Sequence, residues 1–247
     1  MSYPLRVMNH ANEKLIVALD VDSVERAREL AGALHELVGM FKVGSQLFTA
    51  VGPTIVREII RAGGRVFLDL KFHDIPNTVA CAAVEATRLG VSIFNVHASG
   101  GSEMMRRTAE AVSEVSEREG LPRPRVIAVT VLTSTDARVL AAAGVPSSVN
   151  DQVRRLAQLA EASNLDGVVA SSLEVPLIRA AIPRKDFLIV TPGVRPSGAD
   201  LADQRRVLSP TEAVRAGADY LVIGRPIIAA SDPIKAAQAV IEEIENA

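Results

Sequence analysis

Short apolar, β-rich runs recur along the whole chain, and between them apolar residues return at helical spacing. The runs are Leu15–Asp20, Phe41–Ser45, Arg65–Lys71, Ile93–Ala98, Arg125–Leu132, Gly167–Ala170, Phe187–Pro192 and Tyr220–Arg225. Each predicts a strand, because β-branched and aromatic side chains suit a pleated, buried surface. In the first interval, Ser23–Leu37 sets Val24, Ala27, Leu30, Ala31 and Leu34 on one stripe behind a Ser23 cap, which predicts a helix. Pro76–Leu89, Ser102–Val115, Asn150–Ala162 and Pro233–Ile244 read as helices in the same way. Strands that are apolar on both faces and alternate with helices imply a parallel sheet covered by helices. Eight such units can close on themselves, so the expected fold is α/β, a single-domain (β/α)8 TIM barrel over residues 1–247. An open doubly wound sheet is the structural alternative, but it typically holds about five or six strands. No linker divides the chain. The Pro- and Gly-bearing stretch Gly193–Ala202 is long for a strand-to-helix connection and reads as a functional loop.

Composition narrows the partners. With 247 residues, 48% of them hydrophobic, the chain can bury one large core. Its 27 basic residues against 29 acidic ones leave a formal charge of -2, so no electrostatic excess favours nucleic acid or an anionic membrane. A small anionic ligand would need a local cationic site. Cys81 is the only cysteine, which excludes an internal disulfide, suits a reducing compartment, and is expected to be a small buried helix residue. The opening Met1–Lys14 is polar and lacks the apolar run of a secretory signal. No stretch reaches the roughly 18–20 uninterrupted apolar residues of a membrane span; Tyr220–Ala230 is broken by Arg225 and Pro226. A soluble, cytoplasmic protein is the expectation.

In a barrel of this kind the active site is built at the C-terminal ends of the strands, and polar residues gather there. The first strand ends in Asp20, the second carries Lys42, the third ends Asp69-Leu70-Lys71, the fifth leads to Thr133 and the eighth ends Gly224-Arg225. Residues two apart on a strand share a face, so Asp69 and Lys71 can both enter the barrel mouth while Leu70 packs outward. Asp74 follows the strand and either returns to Lys71 or projects from the rim. Two carboxylates around one ammonium leave a net negative charge, and such a buried cluster is a costly route to stability, which points to function. His73 and His97 are read as loop-organising residues rather than as general bases. No His, Cys and acidic residues have metal-ligand spacing, so no metal is expected.

The last third supplies an anion site. Thr191-Pro192-Gly193-Val194-Arg195-Pro196 follows the seventh strand, and Gly224-Arg225-Pro226 follows the eighth. Loops at these two places, with a helix N-terminus, are where barrels bind phosphate. Gly224 lets backbone N–H groups approach, while Arg195 and Arg225 offer forked donors. With Lys42 and Asp20, this suggests a phosphorylated sugar or nucleotide as ligand.

The stretches Leu68-Asp69-Leu70-Lys71-Phe72-His73-Asp74-Ile75-Pro76-Asn77-Thr78, Asn95-Val96-His97-Ala98-Ser99-Gly100-Gly101, Ala128-Val129-Thr130-Val131-Leu132-Thr133-Ser134, Thr191–Pro196 and Val222-Ile223-Gly224-Arg225-Pro226 resemble the orotidine 5'-monophosphate decarboxylases of the common bacterial type. The first stretch is highly specific, and the likeness runs over nearly the whole chain. The resemblance implies conversion of OMP to UMP without cofactor or metal. It implies Lys71 as the catalytic lysine, flanked by Asp69 and by Asp74, the latter reaching into the neighbouring subunit of a homodimer. It further implies ribose contacts from Asp20, Lys42 and Thr78, with Thr78 also crossing the interface. Ile75 would be a further substrate contact, Thr133 would lie near the pyrimidine, and Arg195, Gln204, Gly224 and Arg225 would hold the phosphate under a closing loop, Gly193–Gln204.

Two rival chemistries use the same residues. A Mg2+-dependent sugar-phosphate decarboxylase or aldolase of the same barrel superfamily also resembles the Asp-x-Lys-x-x-Asp arrangement; Ile75–Thr78 and the Arg195 loop favour the nucleotide enzyme. A Schiff-base role for Lys71 needs a free amine, and two flanking acids favour the ammonium. A non-catalytic nucleotide-binding barrel is the third alternative, and a complete catalytic cluster argues against it.

Overall fold

Alternation within each strand sorts the apolar residues into two layers, and this sorting closes the sheet. In the computed structural model, which describes residues 10–196 and 208–247, eight parallel strands follow in chain order. They are β1 (Leu15–Ala18), β2 (Met40–Gly44), β3 (Val66–Phe72), β4 (Ile93–His97), β5 (Arg125–Val129), β6 (Gly167–Val169), β7 (Leu188–Pro192) and β8 (Tyr220–Ile223). Each pairs with its neighbour and β8 returns to β1, with Leu15 opposite Leu221, to give a closed barrel. The expected (β/α)8 fold is what the chain adopts.

Around the barrel run α1 (His10–Lys14), α2 (Val24–Leu34), α3 (Ser45–Val51), α4 (Thr54–Arg61), α5 (Pro76–Arg88), α6 (Gly101–Glu119), α7 (Ala137–Ala142), α8 (Val149–Ala162), α9 (Val175–Ala181), α10 (Pro210–Arg215), α11 (Arg225–Ile228) and α12 (Pro233–Glu245). The five helices read from periodicity all form, within a few residues of their expected ends. Ser23 caps α2 by accepting from the Arg26 N–H at 3.1 Å. The remaining helices are short, four to eight residues, too brief for a 3.6-residue period to emerge from the sequence. Several strands are shorter than expected; the fifth stops at Val129 rather than Leu132.

Within the barrel lie Ile16, Met40, Phe67, Ile93, Ile127, Val190 and Val222. The intervening residues Val17, Phe41, Leu68, Phe94 and Val96 face the helices in the second, larger layer. Both layers are apolar because a parallel strand in this architecture is covered on each side. Gly167 on β6 allows the closest approach in the sheet: a Cβ there would collide with the carbonyl of Leu188.

Cys81 is corrected by the structure, since it is exposed rather than buried. On α5 the buried positions are Val79, Ala80, Ala83, Ala86 and Thr87. That stripe leaves Asn77, Thr78, Cys81 and Glu85 on the opposite, exposed side. Among the described residues no helix is long and apolar enough to cross a membrane.

Candidate active site

Two residues above the apolar filling, the same inward columns turn polar. Met40 is followed by Lys42, Phe67 by Asp69 and Lys71, and Ile93 by Asn95. Period-two alternation thus delivers Lys42, Asp69 and Asn95 to one level of the barrel's C-terminal mouth, with Lys71 two residues further along β3. Lys71 Nζ lies 2.6 Å from Asp69 Oδ1. Lys42 Nζ lies 3.4 Å from Asp69 Oδ2 and 2.8 Å from Asp20 Oδ1. The result is a chain of alternating charge, Asp20–Lys42–Asp69–Lys71, in which Asp69 serves both ammonium groups.

This alters one expectation. Within one chain the cluster is not one cation between two anions but two cations and two anions, because Lys42 joins it. Asp74 does not return to Lys71: its carboxylate is exposed and accepts from the backbone N–H of Ile75 at 2.6 Å. Asp69 and Lys71 do share a face, as expected, and Leu70 packs outward against the helix layer.

The reach of Lys71 comes from an irregular backbone. Leu68 pairs with Phe94 and Phe72 with Val96, so four steps along β3 match two along β4. Lys71 itself sits at φ 53°, the left-handed region that a side chain with a Cβ seldom adopts. Its backbone N–H is taken by Asn95 Oδ1 at 2.8 Å, and Asn95 Nδ2 donates to Asp69 Oδ1 at 2.7 Å.

Lys42, Asp69, Lys71 and Thr133 line one cavity of about 180 Å³ with Phe67, Val129, Val131, Leu132, Val169, Ala170, Pro192 and Val222. Its walls are mostly apolar, so charges at its edge act through a medium of low dielectric and carry more weight than in water. Asp20 joins the cavity's charges through Lys42. Ile75 and Thr78, at the start of α5, are exposed and outside this lining, as is Asp74.

The loops after β7 and β8 follow strands whose Pro192 and Val222 line the same cavity. Arg195 is buried, and its backbone N–H donates to the Leu208 carbonyl at 3.1 Å. Arg225 is exposed and opens the one-turn helix α11, with Gly224 at the preceding cap position. A Cβ at Gly224 would come within 3.3 Å of Ala18 Cβ, so this loop lies tight against β1. Gln204 and Ser197–Ala202 lie outside the described residues.

The rings of His73 and His97 lie against each other, centroids 5.5 Å apart and planes tilted by 39°. Burial, aided by neighbouring His73 and Lys71, pushes the His97 imidazole below its usual range, against the opposite pull of Asp69. Among the described residues no three His, Cys, Asp or Glu side chains are grouped so as to hold a metal ion.

Two contributors carry no separate signal in the sequence analysis. Asn95 stands there only within a motif; its signal is a lone polar residue between apolar Phe94 and Val96. Gly44 is the other: a Cβ there would stand 2.9 Å from Lys42 Nζ and 3.1 Å from Asp20 Oδ1. Gly44→Ala should therefore displace that ion pair by a few tenths of an ångström and lower kcat/KM by about tenfold. The thermal midpoint should barely move, because the displaced atom ends a flexible side chain. Unchanged kinetics in this variant would refute the packing role.

Residues 13–240 match the family model described as "Orotidine 5'-phosphate decarboxylase / HUMPS family". The chain is 57% identical over 236 residues to orotidine 5'-phosphate decarboxylase of Geobacter sulfurreducens, covering 96% of this chain and 98% of the relative. It is 56% identical to the protein of the same name from Geobacter metallireducens, again over 96% and 98% of the two chains. Among solved structures, orotidine 5'-phosphate decarboxylase from Lactobacillus acidophilus superimposes with a TM-score of 0.81 at 36% identity, covering 93% of this chain and 98% of that one.

Proposed function

The chain belongs to the orotidine 5'-phosphate decarboxylase / HUMPS family, and from that membership we propose that it converts OMP to UMP and CO2 in pyrimidine biosynthesis. The observation that carries the proposal is the Lys71 ammonium, held 2.6 Å from Asp69 at the edge of an apolar cavity.

Loss of CO2 breaks the bond from C6 to the carboxylate and leaves the electron pair in the ring plane, where the π-system cannot delocalise it. Enzymes commonly supply about 8–23 kcal/mol of barrier reduction, and a reaction this difficult needs the upper part of that range. No single side chain provides so much, so a preorganised electrostatic site is required. In this reading the Lys71 ammonium lies against C6, stabilises the developing charge, and gives C6 the proton that replaces CO2. The resulting amine regains a proton from solvent. Asp69 aims the ammonium, with Asp74 of a second subunit as its other flank.

Asp20, Lys42 and Thr78 would hold ribose hydroxyls, Ile75 and Thr133 would meet the substrate near the base, and Arg195, Gln204, Gly224 and Arg225 would take the phosphate. A homodimer follows from the roles of Asp74 and Thr78. Their exposure on the single chain, together with that of Ile75 at 67%, supports such an exchange. Residues 1–247 act as one unit, in the cytoplasm, on a small-molecule substrate rather than on nucleic acid or membrane.

An ultraviolet assay of OMP consumption tests the activity. The expected result is turnover that is undiminished in a metal chelator. Absence of turnover removes the reading; turnover that a chelator abolishes removes the metal-free mechanism and favours the Mg2+-dependent branch of the barrel superfamily.

A further inference from the structure

We propose that Asn95 is the positioning residue that fixes where the Lys71 ammonium stands, by tying the main chain of Lys71 to the carboxylate that the same lysine pairs with. The proposal rests on Lys71 being the reacting group.

Asn95 is fully buried, at 0% exposure, in the middle of β4. An interior amide is costly unless both of its ends are hydrogen-bonded. Both are: Oδ1 accepts from Lys71 N–H at 2.8 Å, and Nδ2 donates to Asp69 Oδ1 at 2.7 Å. That same Asp69 oxygen accepts from Lys71 Nζ at 2.6 Å, so the contacts form a closed ring through both ends of the lysine. The chemistry sets the amide's orientation, since a backbone N–H requires the oxygen and a carboxylate requires the NH2 group.

The strand ladder does not perform this task. Between Leu68 and Phe72 the β3–β4 register breaks, and Asn95 stands opposite the extra residues. With Lys71 at φ 53°, its N–H finds the Asn95 side chain in place of a ladder carbonyl. Asn95 thus anchors the root of the lysine and also the anion that holds its tip. Reactive groups lose efficiency when they drift by about half an ångström, which is why both anchors matter.

Asn95→Asp tests this with little change of shape. It keeps the acceptor for Lys71 N–H but sets an oxygen against Asp69 in place of the NH2 donor. When ionised, the introduced carboxylate repels Asp69; when protonated, its hydroxyl donates as the amide did. The charged and titratable groups nearby are Asp69 and Lys71 of β3, Lys42 of β2, and His97 at the end of β4 with His73 against it. Burial and Asp69 both favour the protonated form, so kcat should recover toward the wild-type value as pH falls from about 8 to about 5. At the upper end kcat should be reduced about 10- to 100-fold with KM for OMP within about threefold. Asn95→Ala should be slow at every pH, with UMP binding retained.

A pH profile parallel to that of the wild type, kcat and KM changing in step, or failure of either variant to fold would assign Asn95 to the fold alone and overturn the proposal. Lys71→Ala run beside them separates the two readings. If it stays active, the underlying mechanism is wrong; if it is inactive while the Asn95 variants are normal, only the positioning role is wrong.

Discussion

Lys71→Ala is expected to lower turnover of OMP by at least about four orders of magnitude, since it removes a charge-stabilising donor worth about 10²–10³ and a general acid worth about 10²–10⁴. UMP should still bind. The surroundings explain why the loss should be catalytic rather than structural: Asp69 retains Lys42 at 3.4 Å and Asn95 at 2.7 Å, so its carboxylate is not left buried without partners. Alanine and lysine also share the same difficulty at φ 53°, so no new backbone strain is introduced. Steady-state kinetics gives the loss, and calorimetric titration with UMP reports the intact site. Turnover within about tenfold of wild type would exclude Lys71 as the proton donor.

The second large effect should come from Arg225→Ala, far along the rim from Lys71. A charge-assisted hydrogen bond contributes about 1.5–3 kcal/mol, so kcat/KM for OMP should fall by about 10- to 100-fold. Activity on orotidine, which lacks the phosphate, should change little. The contrast follows from differential binding: energy gained at a non-reacting end of the substrate can drive loop closure and exclude water at the reacting end. Arg225 is exposed and opens α11 after a glycine packed against β1. Equal losses on both substrates would mean that Arg225 serves the fold or the base, not the phosphate.

Much of this architecture is legible in the residues because barrel strands carry a simple signal. Runs such as Ile93–Ala98 and Phe187–Pro192 are apolar on both faces, and the long amphipathic helices between them show a 3.6-residue period. The site is less evenly readable. Asp69 and Lys71 announce themselves as charges two apart at a strand end, and Asp20 and Lys42 as single charges, one following β1 and one on β2. The register break in β3 and the left-handed turn at Lys71 do not, because Leu70 and Phe72 fit a regular strand equally well. Asn95 acts through distances to the neighbouring β3, and Gly44 through its closeness to the ion pair that Lys42 makes with Asp20, and one strand's own pattern holds no record of those. Cys81 is exposed because the stripe of Val79, Ala80, Ala83, Ala86 and Thr87 sets the rotation of α5 and turns Cys81 away from the core.

The left-handed backbone at Lys71 costs the folded chain stability. A residue bearing a Cβ gives up about 1–2 kcal/mol there, a penalty that glycine would escape. Under the proposed mechanism, a lysine at this position therefore exchanges robustness for reactivity at a single φ angle. Gains in thermal tolerance have to be sought elsewhere, in the helical shell.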